Sequence, residues 1–260
     1  MNRSKCISKW KSGHPVLGVT LHLTDPSVFE LTSILGFDVI WIDMEHHSHS
    51  IQTVNGLMRA ARVGASDLLV RPGNGEYIQM ARLLEAGANG IMYPRCTTVE
   101  EAKMAVHHVK FPPKGGRGLD ASGPDALYGT IPLKEYLVSA NQGTFLVVQI
   151  EDQMGLDAAQ GIAEVEGVDL IFFGPGDFSL QGGFPGDFKD PRYWEALNKI
   201  AVSAKNAGKL WGTPVFSSDH AKKLLDMGAM LITYSSDLTL IRKRLTEIKE
   251  EFQSLGFRFS

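Results

Sequence analysis

The sequence predicts an α/β fold in which eight parallel strands and eight helices close into a (β/α)8 TIM barrel. Short β-rich runs alternate with amphipathic segments along the chain, and each kind occurs eight times. The 260 residues are also enough for one such barrel, so we expect a single domain over residues 1–260. An open, doubly wound sheet is the alternative that the same alternation allows.

The predicted strands are apolar runs that begin or end near glycine, proline or polar residues. They are His14–Leu23, Phe37–Met44, Asp67–Arg71, Gly90–Pro94, Phe145–Glu151, Val168–Gly174, Lys209–Phe216 and Met230–Tyr234. The predicted helices lie between them, with apolar residues at helical spacing. They are Pro26–Leu35, Ile51–Val63, Glu76–Ala86, Val99–Val109, Leu156–Val165, Tyr193–Ala207, Asp219–Met227 and Leu238–Leu255.

Capping residues support these boundaries. Glycines are predicted to end helices in the left-handed conformation at Gly36, Gly64, Gly87, Gly167, Gly208, Gly228 and Gly256. Ser50, Thr98 and Ser218 are predicted N-caps, and Thr98 with Glu101 has the form of a capping box. The junction Leu-Leu-Glu-Ala-Gly-Ala at 83–88 recurs as Leu-Leu-Asp-Met-Gly-Ala at 224–229, which indicates repeated βα units.

Two segments need separate interpretation. Residues 110–143 are too many for an ordinary connection, so we predict a short helix at Leu133–Ala140 within a loop that covers the site or touches another subunit. The last helix, Leu238–Leu255, is amphipathic and is interpreted as a barrel-covering helix with a solvated charged face.

Composition excludes some classes of protein. A net charge of −3 provides no basic surface for nucleic acid. The N-terminus lacks an apolar signal core, and no run is long enough to span a membrane. The two cysteines, Cys6 and Cys96, form no disulfide framework, so we expect a soluble cytoplasmic protein.

Titratable residues follow the second and third predicted strands, where a barrel places its active site. The second strand ends in Asp43-Met-Glu-His46, and we predict His46 as a general base oriented by Asp43. A polar loop or a fortuitous metal-binding tract is the alternative. Arg71 ends the third strand, where its guanidinium either binds an anionic substrate or forms an ion pair with Asp43 or Glu45.

Two acids at the ends of the fifth and sixth predicted strands, which are adjacent, predict a metal site. Glu151 and Asp177 would suit Mg²⁺ or Mn²⁺ and leave coordination positions for a 2-oxo acid. The alternative is two solvated acids at loop starts. Gly174 and Gly176 would let backbone N–H groups approach a substrate carboxylate, or else form only a tight turn. None of the predicted strands has an internal lysine, which disfavours Schiff-base chemistry.

Further motifs extend over most of the chain. They are Ile42-Asp43-x-Glu45-His46, Val70-Arg71-Pro72, Pro112-Pro113-x-Gly115-x-Arg117-Gly118, Gln149-Ile150-Glu151 and Gly174-Pro175-x-Asp177-x-Ser179. With these motifs the chain resembles the class II, metal-dependent 2-oxo acid aldolases of the HpcH/HpaI family. It departs from them at Met44, at Arg95 and after Gly118.

The resemblance implies a TIM barrel of the phosphoenolpyruvate/pyruvate-binding type. It implies that Glu151 and Asp177 hold the divalent ion, Mg²⁺ or Mn²⁺ with Co²⁺ or Zn²⁺ as alternatives. Arg71 would stabilise the pyruvate enolate, with His46 and Asp43 as the base pair. Gln149, Gly174, Pro175 and Gly176 are the other predicted substrate contacts.

We therefore predict reversible cleavage of a small-molecule 4-hydroxy-2-oxo acid to pyruvate and an aldehyde. A 2-oxo acid decarboxylase, another carbon–carbon lyase and a catalytically silent binding barrel are the alternatives. The resemblance also implies a homo-oligomer, a hexamer built as a trimer of dimers, in which the last helix is exchanged between subunits.

Overall fold

Eight parallel strands form a closed barrel in the computed structural model, which describes residues 4–259. Neighbours along the chain are neighbours in the sheet, and β8 pairs with β1. The strands are β1 (Val16–Leu21), β2 (Val39–Asp43), β3 (Asp67–Arg71), β4 (Gly90–Tyr93), β5 (Phe145–Ile150), β6 (Leu170–Phe173), β7 (Leu210–Val215) and β8 (Leu231–Ser236). The predicted (β/α)8 barrel is confirmed, and the open sheet is wrong.

Eleven α-helices occur within residues 4–259. They are α1 (Lys5–Lys11), α2 (Pro26–Ile34), α3 (Ile51–Ala60), α4 (Tyr77–Ala86), α5 (Val99–Val109), α6 (Leu133–Gly143), α7 (Gln153–Glu164), α8 (Pro175–Gln181), α9 (Pro191–Asn206), α10 (Ser218–Asp226) and α11 (Asp237–Gln253). Helices α1 and α8 are not among the helices predicted from the sequence. Pro175, read there as part of a turn, instead occupies the first helical position, where its missing N–H costs nothing. No helix of residues 4–259 has the length and apolar character needed to cross a membrane.

The capping predictions are confirmed with two exceptions. Thr98 and Glu101 form the predicted capping box, and six of the seven predicted glycines have positive φ. Gly64 has φ −116°, so it is not in the left-handed conformation. Glycine is required there for lack of space, because a Cβ would lie 2.4 Å from the Ser33 carbonyl. Ser217, rather than Ser218, caps α10 by accepting from the His220 N–H.

Helix α1 closes the N-terminal end of the barrel. The Cys6 N–H donates to Asp67 Oδ2 at 2.8 Å, and the Trp10 indole donates to the Met230 carbonyl at 2.8 Å. The Trp10 ring also packs edge-on against Phe145, with a centroid distance of 5.1 Å. The opposite end, where the strands finish, is therefore the one that remains for substrate.

The segment 110–143 packs at the same N-terminal end of the barrel. Lys110 Nζ donates to the carbonyl of Thr144, the residue before β5, and Gly123 lies against the Glu85 carbonyl near the end of α4. A buried ion pair between Arg117 and Asp125 holds the segment together, at 2.8 Å. The prediction that this segment covers the site of its own chain is wrong, because α5 delivers it to the far end of the barrel.

Helix α11 does not cover the barrel of its own chain. Only its first residue, Asp237, is buried. Large apolar side chains are exposed along the rest of the helix, including Leu240, Ile241, Leu245 and Phe252. The interpretation as a barrel-covering helix is wrong, because amphipathic spacing reveals an apolar face but not what packs against it.

Candidate active site

Inward-facing residues of adjacent strands bring the candidate groups together at the carboxyl end of the barrel. Side chains alternate between the two faces of a strand, so Asp43 faces the interior with Trp41, and Arg71 with Leu69. Asp43 and Arg71 are also direct partners in the register of β2 and β3. The apolar interior thus ends in a layer of charged side chains, which is where barrel enzymes place their catalytic groups.

Arg71 is the central cation of this layer. Its Nε and Nη2 donate to the two oxygens of Asp43 at 2.9 and 2.7 Å, and Nη1 donates to Gln149 Oε1 at 3.1 Å. The guanidinium also lies over the Trp41 ring, 4.9 Å from its centroid. Nη1 is also 3.3 Å from Glu45 Oε2, but without hydrogen-bond geometry. The ion pair of Arg71 with Asp43 or Glu45 that the sequence allowed is therefore present, with both acids.

The predicted pairing of Asp43 with the His46 ring is absent. Asp43 Oδ1 instead accepts from the backbone N–H groups of Glu45 (3.0 Å) and His46 (3.5 Å), while both its oxygens hold Arg71. Burial opposes ionisation of Asp43, but the bonds from Arg71 outweigh it and lower the pKa. The His46 ring is half-exposed, and its nearest acid is Glu45, 3.8 Å from Nε2.

Glu151 is a buried acid of the site, as is Asp43. Its Oε2 accepts from the Gln149 amide at 2.5 Å and its Oε1 from the Arg95 N–H at 3.0 Å. Burial raises the pKa of Glu151 to about 7; Arg71 lowers it, whereas the charges of Glu45 and Asp177 raise it further. Glu151, Glu45 and Asp177 share one contact, because all three bond to Arg95.

Asp177 is held in the first turn of α8, and the residues before it differ in what they can offer a ligand. A Cβ on Gly174 would lie 2.5 Å from Glu151 Oε2, so glycine is needed there. The Gly174 N–H already donates to the Ile150 carbonyl at 2.9 Å, and Pro175, which is buried, has no N–H. Of Gly174, Pro175 and Gly176, only Gly176 has a backbone N–H that the first turn of α8 leaves for a substrate, and a Cβ at Gly176 would meet no atom within 4 Å.

Arg95 links the acids across the mouth of the site. Its Nε donates to Glu45 Oε1 and its Nη2 to Asp177 Oδ2, both at 2.9 Å. From the sequence, Arg95 is a cation near the mouth of the site that either binds a second carboxylate or pairs with an acid, and the pairing with acids is present. For Glu45 the sequence predicted only an ion pair with Arg71. The signals were present, because Glu45 lies two residues after the inward-facing Asp43 and Arg95 follows the end of β4.

The charge and chemistry of this cluster fit a divalent cation. The guanidinium groups of two arginines face four carboxylates, and if all are ionised two negative charges remain uncompensated. The arginines are Arg71 and Arg95, and the acids are Asp43, Glu45, Glu151 and Asp177. Carboxylate oxygens are the ligands that Mg²⁺ and Mn²⁺ prefer. Residues 4–259 contain no group of three or more His, Cys, Asp or Glu side chains arranged around one metal position. Two protein ligands, Glu151 and Asp177, would leave the other positions to substrate and water.

Comparison with known proteins agrees with this architecture. The model of the family described as HpcH/HpaI aldolase/citrate lyase matches residues 17–243. The chain belongs to this family. A relative from Shigella sonnei, named 4-hydroxy-2-oxo-heptane-1,7-dioate aldolase, is 32% identical over 243 residues, which cover 93% of this chain and 92% of the relative.

Two further HpcH/HpaI relatives extend the comparison. A Klebsiella pneumoniae protein named 5-keto-4-deoxy-D-glucarate aldolase is 31% identical, with 91% of this chain and 92% of the relative covered. The crystal structure of an HpcH/HpaI aldolase/citrate lyase family protein from Burkholderia cenocepacia has 29% identity and a TM-score of 0.89, over 96% of this chain and 99% of that one. Both curated relatives are named as aldolases, which are lyases.

Proposed function

We propose that the protein is a divalent-metal-dependent aldolase that reversibly cleaves a 4-hydroxy-2-oxo acid into pyruvate and an aldehyde. The observation that carries the proposal is a buried guanidinium linked to two carboxylates at the end of the barrel where substrates bind: Arg71 donates to Gln149, which donates to Glu151, and Arg95 joins Glu151 to Asp177. The aldolase names of its HpcH/HpaI relatives support the reaction class.

In this proposal Glu151 and Asp177 hold the metal ion. When bound, the ion supplies Lewis-acid polarisation of the 2-oxo group. Arg71 donates from its Nη1 edge to the oxygen that gains negative charge as pyruvate enolate forms, while Asp43 fixes the other edge of the guanidinium. Gln149 donates to Glu151 and accepts from Arg71, and so fixes the position of the carboxylate relative to the guanidinium.

His46 is the proposed base. It removes the proton of the C4 hydroxyl, the C3–C4 bond breaks, and the aldehyde leaves as the electron pair passes into the enolate. Transfer of this proton from His46 to C3 then gives pyruvate and restores the neutral base. The carboxylate of Glu45, 3.8 Å from Nε2, rather than that of Asp43, is placed to stabilise the imidazolium. The Asp43 carboxylate accepts from the backbone N–H of His46 and from the guanidinium of Arg71.

The test is pyruvate release from a panel of 4-hydroxy-2-oxo acids, coupled to lactate dehydrogenase, after EDTA treatment and after Mn²⁺ or Mg²⁺ is restored. We expect activity only with metal, loss of metal binding in Glu151→Ala, and retained metal binding with lost activity in Arg71→Lys. Asp152→Asn is the matched control, because Asp152 caps α7 at the Gly155 N–H and asparagine caps equally well.

Alternative outcomes separate the rival functions. Metal-dependent CO₂ release from 2-oxo acids, without aldehyde, would identify a decarboxylase. Metal binding with no turnover across the panel would contradict the aldolase proposal and favour a silent binding barrel. Equal loss of metal in Glu151→Ala and Arg71→Lys would make Arg71 a structural residue.

We further propose a homo-oligomer, a hexamer arranged as a trimer of dimers, in which α11 packs on a second copy of this chain. The exposed apolar side chains of α11, including Leu240, Ile241 and Leu245, support this, because the same chain leaves them uncovered. Light scattering should give six times the 28.5 kDa chain mass, and Leu245→Asp should lower it. A monomeric wild-type protein would refute this assembly.

A further inference from the structure

Arg95 contacts both proposed metal ligands, Glu151 and Asp177, and a third acid of the site, Glu45. Its side chain bonds to Glu45 and Asp177, and its backbone N–H donates to Glu151 Oε1 at 3.0 Å. One residue therefore controls the charge and position of both proposed metal ligands and of the carboxylate between them and His46.

The backbone holds Arg95 in this place. Its φ is +48°, in the left-handed region that few residues other than glycine adopt. The following N–H, of Cys96, donates to the Gln149 carbonyl at 2.8 Å and fixes the turn after β4. This turn directs the Arg95 N–H to Glu151, whereas the guanidinium reaches Asp177 through a partly exposed side chain.

A divalent ion at Asp177 and the Arg95 guanidinium need the same carboxylate. Asp177 Oδ2 is bound by Arg95 Nη2, and two cations at one carboxylate repel each other. The Arg95 side chain is 45% exposed, so water can receive it when it leaves Asp177. Glu151 differs, because Arg95 reaches it only through the backbone N–H, which does not compete as a charge.

We propose that Arg95 is a built-in competitor of the metal: it neutralises Asp177 and Glu45 before metal binds, and it must release Asp177 when metal enters. Arg95 thereby weakens the affinity for the divalent ion while stabilising the unloaded site. The inference rests on the proposed metal ligands and adds to them a residue that sets their affinity.

Mn²⁺ binding to the EDTA-treated full chain, followed by the electron paramagnetic resonance signal of free Mn²⁺, tests the proposal without turnover. Arg95→Met keeps a long side chain and removes the charge. We expect it to bind Mn²⁺ about tenfold more tightly than wild type, the size expected when two partly exposed ion pairs no longer compete. Without metal its thermal midpoint should fall below wild type, and added Mn²⁺ should raise that midpoint by more than in wild type.

Arg192→Met is the matched control. Arg192 also forms a two-pronged ion pair, with Asp190, and its side chain is 52% exposed, but it contacts none of the three site acids. It should leave Mn²⁺ affinity unchanged. Glu151→Gln in the Arg95→Met background should abolish the tight binding, which would show that the ion occupies the proposed site.

The outcomes distinguish this inference from the proposed function. Equal or weaker Mn²⁺ binding in Arg95→Met, with wild type binding normally, would overturn the role of Arg95 alone. No binding in wild type or in Arg95→Met would overturn both the metal site and the competitor. A merely structural role for Arg95 would lower the thermal midpoint equally with and without Mn²⁺, and that result would also overturn the proposal.

Discussion

Replacing Glu151 with glutamine should stabilise the EDTA-treated protein above neutral pH. Glu151 is only 4% exposed, and it faces Arg71, Glu45, Asp177 and the backbone N–H of Arg95. Burial and the neighbouring acids raise its pKa from an ordinary 4.5 to about 7. Ionised Glu151 therefore costs the folded state free energy that a neutral amide at this position would not.

The magnitude follows from linkage. The folded pKa of Glu151 exceeds the unfolded one by about 2.5 pH units, and at about 1.4 kcal/mol per unit this amounts to about 3.5 kcal/mol. Because the unfolded chain ionises first, wild type loses this stability as pH rises from about 4.5 to about 7, and no more is lost above. In Glu151→Gln an amide N–H₂ can face the Gln149 N–H₂ that now donates to Glu151 Oε2, and losing this hydrogen bond costs about 1 kcal/mol. The net gain is about 2.5 kcal/mol at pH 8, and the variant is the less stable protein at pH 4.

Urea unfolding between pH 4 and pH 8.5, followed by circular dichroism in EDTA, measures the difference. Glu164→Gln is the control, because Glu164 is an exposed acid on α7 and should leave the pH profile of wild type unchanged. Adding Mn²⁺ at pH 8 should reverse the order, since wild type gains stability from the bound ion and Glu151→Gln does not. Parallel pH profiles for wild type and Glu151→Gln would refute the reasoning.

Two further changes test the packing of the site and of the long segment. Gly174→Ala places a Cβ 2.5 Å from Glu151 Oε2 and should weaken Mn²⁺ binding at least tenfold in calorimetry, whereas Gly176→Ala meets nothing within 4 Å and should leave it unchanged. Arg117→Met should lower the free energy of unfolding in urea by about 3–5 kcal/mol, because it leaves the buried Asp125 carboxylate without its cation. An unchanged unfolding midpoint would contradict the importance of that ion pair.

The barrel could be predicted because its signal is repeated in every βα unit. Strand β3 and helix α5 have the predicted boundaries, and each other predicted strand or helix differs by a few residues. The short helices α1 and α8 could not be found from periodicity. Helix α1 has a polar sequence whose Cys6 and Trp10 contact the far end of the barrel, and α8 offers only seven residues after a four-residue strand.

The positions of the site residues could be predicted, but not all of their partners. Acids and arginines at strand ends converge in any barrel, which is why Asp43, Arg71 and Glu151 meet as expected. The register of β2 with β3 places Asp43 directly beside Arg71. The guanidinium bonds to both oxygens of Asp43, so the His46 ring forms no bond with this carboxylate. The bridge made by Arg95 depends on a left-handed backbone that no sequence pattern specifies.

The site divides into a rigid part and an adaptable part. Arg71 and Glu151 lie in or directly after strands, are buried, and bond to partners on neighbouring strands, so they suit the pyruvate half that every substrate of the proposed class shares. His46, Arg95 and Asp177 lie in loops or in the first turn of a helix and are more exposed. Exchanges at Arg95 should therefore alter metal affinity and aldehyde preference while pyruvate binding persists, whereas exchanges at Arg71 should abolish pyruvate binding for every aldehyde. A single Arg95 variant that lost pyruvate affinity with metal bound would contradict this division.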